Sequence, residues 1–422
     1  MLLFYRILTL TLFPIFILVI YLRRFINKEH KARYTEKFTV SKKFLKNKTV
    51  IWIHAASIGE VNSVIPIIKN ILKNNNIFIL LTSTTLSSAQ IIEKNDFRFE
   101  SFEHRFFTID INFLVKKFLA QWKPELVIFV DSEVWPNYIN EISKKNIPLI
   151  LLNGRITTKT FNRWKILPSF SKKIFSSYNL CLASSIESKK NLISLGATNV
   201  KFYGNIKFCA DIKKLKVYSF LKEKLQNQFF WCAASTHPGE EEVILNVHKI
   251  LKNRGVKLNT VIVPRHISRS NKINQLCKNL KLKSLIINSE NEISKNYEIF
   301  IINSVGVLNS YFHQCKSIFM GKSLSKDLIK DGGQNPIEPA KCGCKIYHGP
   351  YVSNFKEIYE LLNKKKIAFK INDDIELAES LFKDTIKKQN SDEVGIEDLN
   401  KYGNEVLFST INEILKFKND YQ

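Results

Sequence analysis

A few short segments of the 422-residue sequence concentrate the side chains that move protons and bind anions. His54-Ala55-Ala56-Ser57-Ile58-Gly59-Glu60 closes an apolar run, and Ser57 with Glu60 has the S-x-x-E spacing of a capping box ahead of Val64, Ile65, Ile67, Ile68, Ile71 and Leu72. A carboxylate in a first helical turn, beside a glycine that lets a ligand approach, is equally placed for general-base work, and the two roles can alternate. Asp131-Ser132-Glu133-Val134-Trp135-Pro136-Asn137 puts two carboxylates at i and i+2, which suits a metal pair, acid/base residues or helix-start caps. Asn153-Gly154-Arg155 and Gly204-Asn205-Ile206-Lys207-Phe208 end two further apolar runs. Lys207 is either a surface charge or, at a strand end, a neutraliser of an anion.

The second half repeats the pattern. Ala234-Ser235-Thr236-His237-Pro238-Gly239-Glu240-Glu241 reads as a strand end opening a helix, with Thr236 as cap, Pro238 in the first turn and backbone N–H groups free for a phosphate. In Pro264-Arg265-His266 the arginine offers bidentate phosphate pairing or a surface ion pair. Gly332-Gly333-Gln334-Asn335-Pro336-Ile337-Glu338-Pro339-Ala340 reads as a glycine turn followed by Asn335 capping a helix that begins at Pro336. Glu338 in that first turn can accept both hydroxyls of a ribose, and a plain capped turn is the alternative.

These segments lie where a parallel α/β sheet would put chemistry. Short apolar runs alternate with amphipathic stretches. The predicted strands are Thr49–Ala55, Ile77–Thr82, Leu126–Val130, Pro148–Asn153, Leu180–Ala183 and Val200–Gly204, then Phe229–Ala234, Thr260–Pro264, Ser284–Ile287, Ile299–Asn303, Ser317–Met320 and Lys345–His348. A Lys-rich stretch, 211–228, separates the two series. The expectation is two doubly wound α/β domains, 49–215 and 225–422, around a cleft, with ligands beyond the carboxyl ends of the strands.

Ahead of them, Met1–Leu22 is apolar except for Arg6, and as a helix of about 1.5 Å per residue it just reaches across a bilayer. Ten basic residues against two acids follow in 23–48, +8 of a net +26. Charge after the apolar run, with no small-residue cleavage site, favours a retained membrane anchor over a cleaved signal, and the positive-inside rule keeps the rest cytoplasmic. Arg6 and Pro14 weaken a span, and the fallback is a helix lying in the interface. The basic segment is suited to anionic headgroups. Seven scattered cysteines suggest no disulfide framework, and Cys342-Gly343-Cys344 lacks partners at zinc spacing.

Taken in order, HAASIGE, DSEVWPN, NGR, GNIKF, AASTHPGEE, PRH and FMGKSL with GGQNPIEPA resemble the 3-deoxy-D-manno-octulosonic acid (Kdo) transferases, from the N-terminal anchor almost to the C-terminus. The resemblance implies a GT-B fold, two Rossmann-like domains, the first binding acceptor and the second CMP-Kdo. It implies transfer of Kdo onto a lipid A precursor at the cytoplasmic face of an inner membrane. By position, Glu60 falls on the general base, and Asp131 and Lys207 on transition-state stabilisers. For CMP the matching positions are Pro264, Arg265, Val305, Gly306, Val307, Asn335, Pro336, Ile337 and Glu338. The chain departs from the usual pattern at Asp131, commonly Glu, at Val307, commonly acidic, and at Gln334, commonly His.

Direct displacement at an activated sugar needs one base and a charged cradle for the leaving nucleotide, so inversion is expected, without a metal or other cofactor. A different GT-B transferase using a UDP-sugar on a lipid-linked cell-wall intermediate is the second reading. A membrane-anchored nucleic-acid-binding protein, suggested by charge alone, is the third; no RNA-binding sheet motif or zinc spacing supports it, and no nucleic-acid partner is expected.

Overall fold

The computed structural model describes residues 1–40, 48–95, 97, 100–210, 228–288, 297–304, 306–329, 332–386 and 393–420. Apolar runs such as Leu126–Val130 carry no alternation, and they become strands buried on both faces, as parallel sheets require. The first seven strands are β1 (Thr49–His54), β2 (Ile77–Ser83), β3 (Phe102–Phe106), β4 (Leu126–Val130), β5 (Leu149–Gly154), β6 (Leu180–Ala183) and β7 (Val200–Lys201). They form one parallel sheet in the order β3-β2-β1-β4-β5-β6-β7.

A second parallel sheet comprises β8 (Phe229–Thr236), β9 (Leu258–Pro264), β10 (Ser284–Ile287), β11 (Ile299–Ile302), β12 (Ser317–Met320), β13 (Lys345–His348) and β14 (Ala368–Lys370). Its order is β10-β11-β9-β8-β12-β13-β14. Helices intervene between most strands, so each unit is a doubly wound, Rossmann-like α/β layer structure. Strand order reverses between β1 and β4 in one unit and between β8 and β12 in the other, the places where such sheets bind ligands.

Alternate side chains of the first sheet feed two cores. Ile51, Ile53, Leu126 and Ile128 pack on one face, and Trp52, Phe118, Phe129 and Tyr138 on the other. β3 and β14 were not foreseen from the sequence. Glu103, His104 and Arg105 give β3 a polar middle, compatible with an edge because Arg33 donates to the His104 carbonyl and the Phe106 N–H donates to Glu36. β14 is three residues long, too short for a periodic signal.

The domain boundaries differ from those expected. The chain divides into Met1–Asp211 with Tyr402–Gln422, and Ile212–Lys401. The last helix, Glu393–Asp420, therefore does not stay with the second sheet: Val406, Ile411, Ile414 and Phe417 enter the same core as Ile51 and Ile53. Two glycines permit the approach. A Cβ at Gly204 would lie 2.5 Å from Val406, and one at Gly403 would lie 2.4 Å from the Phe208 carbonyl oxygen.

The expected single anchor helix is two helices, Leu2–Thr11 and Phe13–Phe25, bent by 51°. Pro14, in the first turn of the second helix, removes an N–H and breaks the ladder. Among the described residues no single helix is long and apolar enough to cross a membrane, although the pair passes together. Arg6 is paired with Glu141 at 2.5 Å and donates to Asn137, and the Tyr5 hydroxyl donates to Asp110 at 2.9 Å. The basic stretch is also less free than its composition suggests. Arg23 and Lys37 share Glu29, Arg33 pairs with Glu36, and Lys42, Lys43 and Lys46 lie outside the described residues.

Ile414, fully buried, tests the placement of the last helix. Ile414→Ala is expected to destabilise the first unit by about 2–5 kcal/mol. Four of the five tryptophans (Trp52, Trp122, Trp135, Trp164) lie in that unit, so urea unfolding followed by their fluorescence reads it directly. An unchanged midpoint would detach the helix from this core.

Candidate active site

The first unit gathers its carboxylates at the carboxyl ends of β1 and β4, on either side of the reversal in strand order. Ser57 caps the helix Ile58–Ile71, its Oγ accepting from the Glu60 N–H. Glu60 answers with its side chain: Oε2 accepts from the Ala56 N–H at 2.8 Å and Oε1 from the Ser57 hydroxyl at 2.7 Å. The capping box is therefore real, but it supplies no cation. Burial, then the charges of Asp131 and Glu133, push the Glu60 carboxyl up to about 7, against the pull of its two hydrogen bonds. A carboxyl that titrates near neutrality is matched to proton abstraction at that pH. A Cβ at Gly59 would meet nothing within 4 Å, so the surface beside Glu60 is bare.

Asp131 sits at φ 58°, a left-handed conformation that non-glycine residues adopt rarely and Asp and Asn most readily. Its N–H donates to the Leu152 carbonyl and its carbonyl accepts from Arg155, so the turn is held from both sides. Oδ2 accepts from Lys207 Nζ at 2.6 Å, and Oδ1 accepts from Asn153 Nδ2 at 2.5 Å. Asn153 is itself at φ 57° and its Oδ1 accepts the Ile206 N–H. Lys207 lies on the short helical turn Ile206–Cys209, capped by Asn205. The segments after β4, β5 and β7 are thus tied at one carboxylate, and Asp131 and Lys207, proposed from separate motifs, meet.

Glu133 is not a partner of Asp131 in a metal pair. Its Oε2 takes the Trp135 indole N–H at 2.8 Å and His54 Nε2 at 3.2 Å. His54 is fully buried, stacked on Phe107 with ring centroids 3.8 Å apart, and its Nδ1 meets Thr82 Oγ1 at 3.0 Å. The motifs contain His54 and Asn153, but spacing alone assigns them no role. Their signal was position, each at or next to the last residue of a strand. Among the described residues no group of three His, Cys, Asp or Glu side chains is arranged to hold a metal ion.

In the second unit Pro264 ends β9, and Arg265 is exposed, its N–H donating to the Thr236 carbonyl. Val305 lies outside the described residues. Gly306 has φ 82° with open space where a Cβ would stand, and Val307 begins the helix Leu308–Phe312. The helix is Ile337–Lys341, one residue later than expected, so Pro336 rather than Asn335 stands at the cap position, and Asn335 Oδ1 accepts the Ile337 N–H from one residue further out. Burial raises the Glu338 carboxyl above the usual range, opposed by a hydrogen bond with Asn309.

One expectation is corrected here. Thr236 does not cap the helix Glu240–Asn253: its hydroxyl donates to Glu241, and Gly239 at φ 89° stands at the cap position. The His237 N–H, expected to be free for phosphate, already donates to Glu240 Oε2.

The family profile described as 3-deoxy-D-manno-octulosonic-acid transferase (kdotransferase) matches residues 32–210. A 3-deoxy-D-manno-octulosonic acid transferase of Rickettsia bellii is 32% identical over 89% of this chain and 89% of its own. The chain belongs to the Kdo transferase family. Its relative in Haemophilus influenzae, of the same description, is 30% identical over 76% of this chain and 75% of its own. A glycosyltransferase structure from Rickettsia africae, 13% identical, superposes with a TM-score of 0.55 over 89% of this chain and 99% of its own. That likeness speaks for the GT-B type of fold. The transferase thus carries its family profile on the unit that holds Glu60, Asp131 and Lys207.

Removing a negative charge near Glu60 must lower its pKa. Asp131→Asn is expected to move the Glu60 titration downward from about 7, read by carboxyl-carbon NMR of the labelled protein. An unshifted titration would mean that burial and Glu133, without Asp131, set it.

Proposed function

We propose that this Kdo transferase is an inverting enzyme that moves Kdo from CMP-Kdo onto the disaccharide of a tetraacylated lipid A precursor (lipid IVA) in lipopolysaccharide core biosynthesis. The observation that carries the reading is the Glu60 carboxyl, fixed by two hydrogen bonds, without a cation among the described residues and pushed up to about 7. In its charged form Glu60 accepts the proton of the acceptor hydroxyl as that oxygen attacks the anomeric carbon of Kdo. The bond from that carbon to the CMP phosphate oxygen breaks as the new glycosidic bond forms, and CMP leaves as an anion. The Asp131–Lys207 pair stabilises charge in that transition state. Pro264, Arg265, Val305, Gly306, Val307 and Asn335–Glu338 form the CMP site, with Arg265 toward phosphate and Glu338 toward ribose.

Glu60→Ala is expected to lose transfer by about 10²–10⁴-fold, the usual size of a general-base contribution. The same variant keeps its CMP affinity. In the wild type, transfer rises with pH through about 7, because only the carboxylate form accepts a proton. CMP, and not UDP, raises the melting temperature of both proteins; a shift with UDP alone would favour the other class of GT-B transferase. Mass spectrometry of the product from CMP-Kdo and lipid IVA reads the transfer, and undiminished turnover in Glu60→Ala removes Glu60 from this role.

The same reading holds the enzyme at the cytoplasmic face of an inner membrane through its bent apolar pair. Leu3, Phe4, Leu18 and Phe25 are more than half exposed, at 71%, 63%, 58% and 74%. Arg6 is kept on the protein by Glu141 rather than placed mid-span. Binding to phosphatidylglycerol vesicles in a flotation assay is expected, and to be lost in the double variant Phe4→Asp, Leu18→Asp. Flotation unchanged by that exchange would assign membrane contact elsewhere.

A further inference from the structure

Glu240 takes no part in the roles above, yet it is 1% exposed at the start of the helix Glu240–Asn253. Four backbone N–H groups point at its carboxylate. Oε2 accepts from His237 at 2.9 Å and Lys322 at 2.7 Å, and Oε1 accepts from Ser323 at 2.8 Å and Leu324 at 3.0 Å. Consecutive amides curled around one anion form a nest of the kind that binds phosphate in other proteins. Here the anion belongs to the chain itself. The carboxylate joins the turn after β8 to the turn after β12, across the reversal in strand order.

The two turns are pressed together closely. A Cβ at Gly321 would lie 2.6 Å from the Ser235 carbonyl oxygen and 2.7 Å from Thr236 Cα, and Ser235 and Lys322 occupy φ 56° and 58°. Such conformations persist where the surroundings over-determine them. The held turn carries further turns in its place. The Lys322 carbonyl accepts the Gly333 N–H at 2.5 Å, the Ser323 carbonyl accepts the Tyr351 N–H at 2.9 Å, and Ser323 Oγ accepts the Gly349 N–H at 2.8 Å. Gly333 is two residues before Asn335, where the proposed nucleotide segment begins.

We propose that Glu240 is a positioning residue for the sugar-nucleotide donor: its carboxylate fixes the turn after β12, and through Gly333 that turn sets the place of Asn335–Glu338. The inference rests on the donor-site reading given under Proposed function. A carboxylate is required, because glutamine would present an NH₂ group to N–H donors and leave buried amides unpaired.

The test is steady-state transfer and CMP binding by full-length wild type, Glu240→Gln and Asp384→Asn. Asp384 is a second buried carboxylate of the same unit, accepting from Ser317, Lys345 and Tyr347 near the opposite, amino ends of β12 and β13. Both variants are expected to melt earlier. Only Glu240→Gln should raise the donor KM and the CMP Kd, by tenfold or more, with the acceptor KM within twofold of wild type. If Glu240→Gln does not accumulate as folded protein, Gly321→Ala displaces the same turn without touching the carboxylate and is expected to give the same donor-selective loss. Equal donor constants in the variants and wild type overturn the role of Glu240, as do equal effects on donor and acceptor. Wild type that fails to bind CMP at all overturns the donor-site reading instead.

Discussion

Three carboxylates share the carboxyl ends of β1 and β4, and they are partnered unequally. Among the described residues Asp131 has a lysine, Glu133 has a histidine and an indole, and Glu60 has a hydroxyl and a backbone amide but no cation. Burial together with the charges of Asp131 and Glu133 raises the proton affinity of Glu60, which has no lysine or histidine of its own among the described residues. The inequality thus singles out one carboxyl without changing its chemistry. It depends on strand ends that cannot drift apart: Asp131 and Asn153 both hold left-handed backbone, and their side chains lock the turn that carries Lys207.

The second unit treats a carboxylate in the opposite manner. Glu240 is surrounded by four N–H donors instead of by other acids, so its charge is spent on order. One sheet sets its carboxylate beside other acids, while the other surrounds its carboxylate with donors. Both devices sit where the strand order reverses, because only there do two neighbouring strand ends open away from each other.

The two α/β series are legible because most buried parallel strands are apolar runs, and twelve of the fourteen strands among the described residues overlap a predicted run. The two that do not are edges: β3 has a polar middle, and β14 is a three-residue stretch ending in Lys370. Motifs put the candidate residues at strand ends, and Ser57 with Glu60 is readable as a capping box from spacing alone. What spacing does not carry is which carboxylate meets which partner. Lys207 and Asp131 lie 76 positions apart, and no local pattern links them. The expected phosphate site at the start of Glu240–Asn253 was misread for a related reason: an acid in the first turn suits a helix dipole, and here it also fills the anion position. The last helix was assigned by sequence order, whereas its apolar face is complementary to the first core.

That last helix has a consequence for how the chain is made. Synthesis runs from the amino terminus, and domains generally fold as units while it proceeds. The first unit cannot follow this course to its end, because Val406, Ile411, Ile414 and Phe417 close a core whose other residues were made hundreds of positions earlier. Until those residues leave the ribosome, part of the surface over Ile51, Ile53 and Ile65 stays open. The second unit, contained within one stretch of chain, has no such dependence and is complete first. Closure of the core in the unit that holds Glu60 therefore waits on the helix beyond residue 402, and a nascent chain interrupted before that point lacks the closing part of that core.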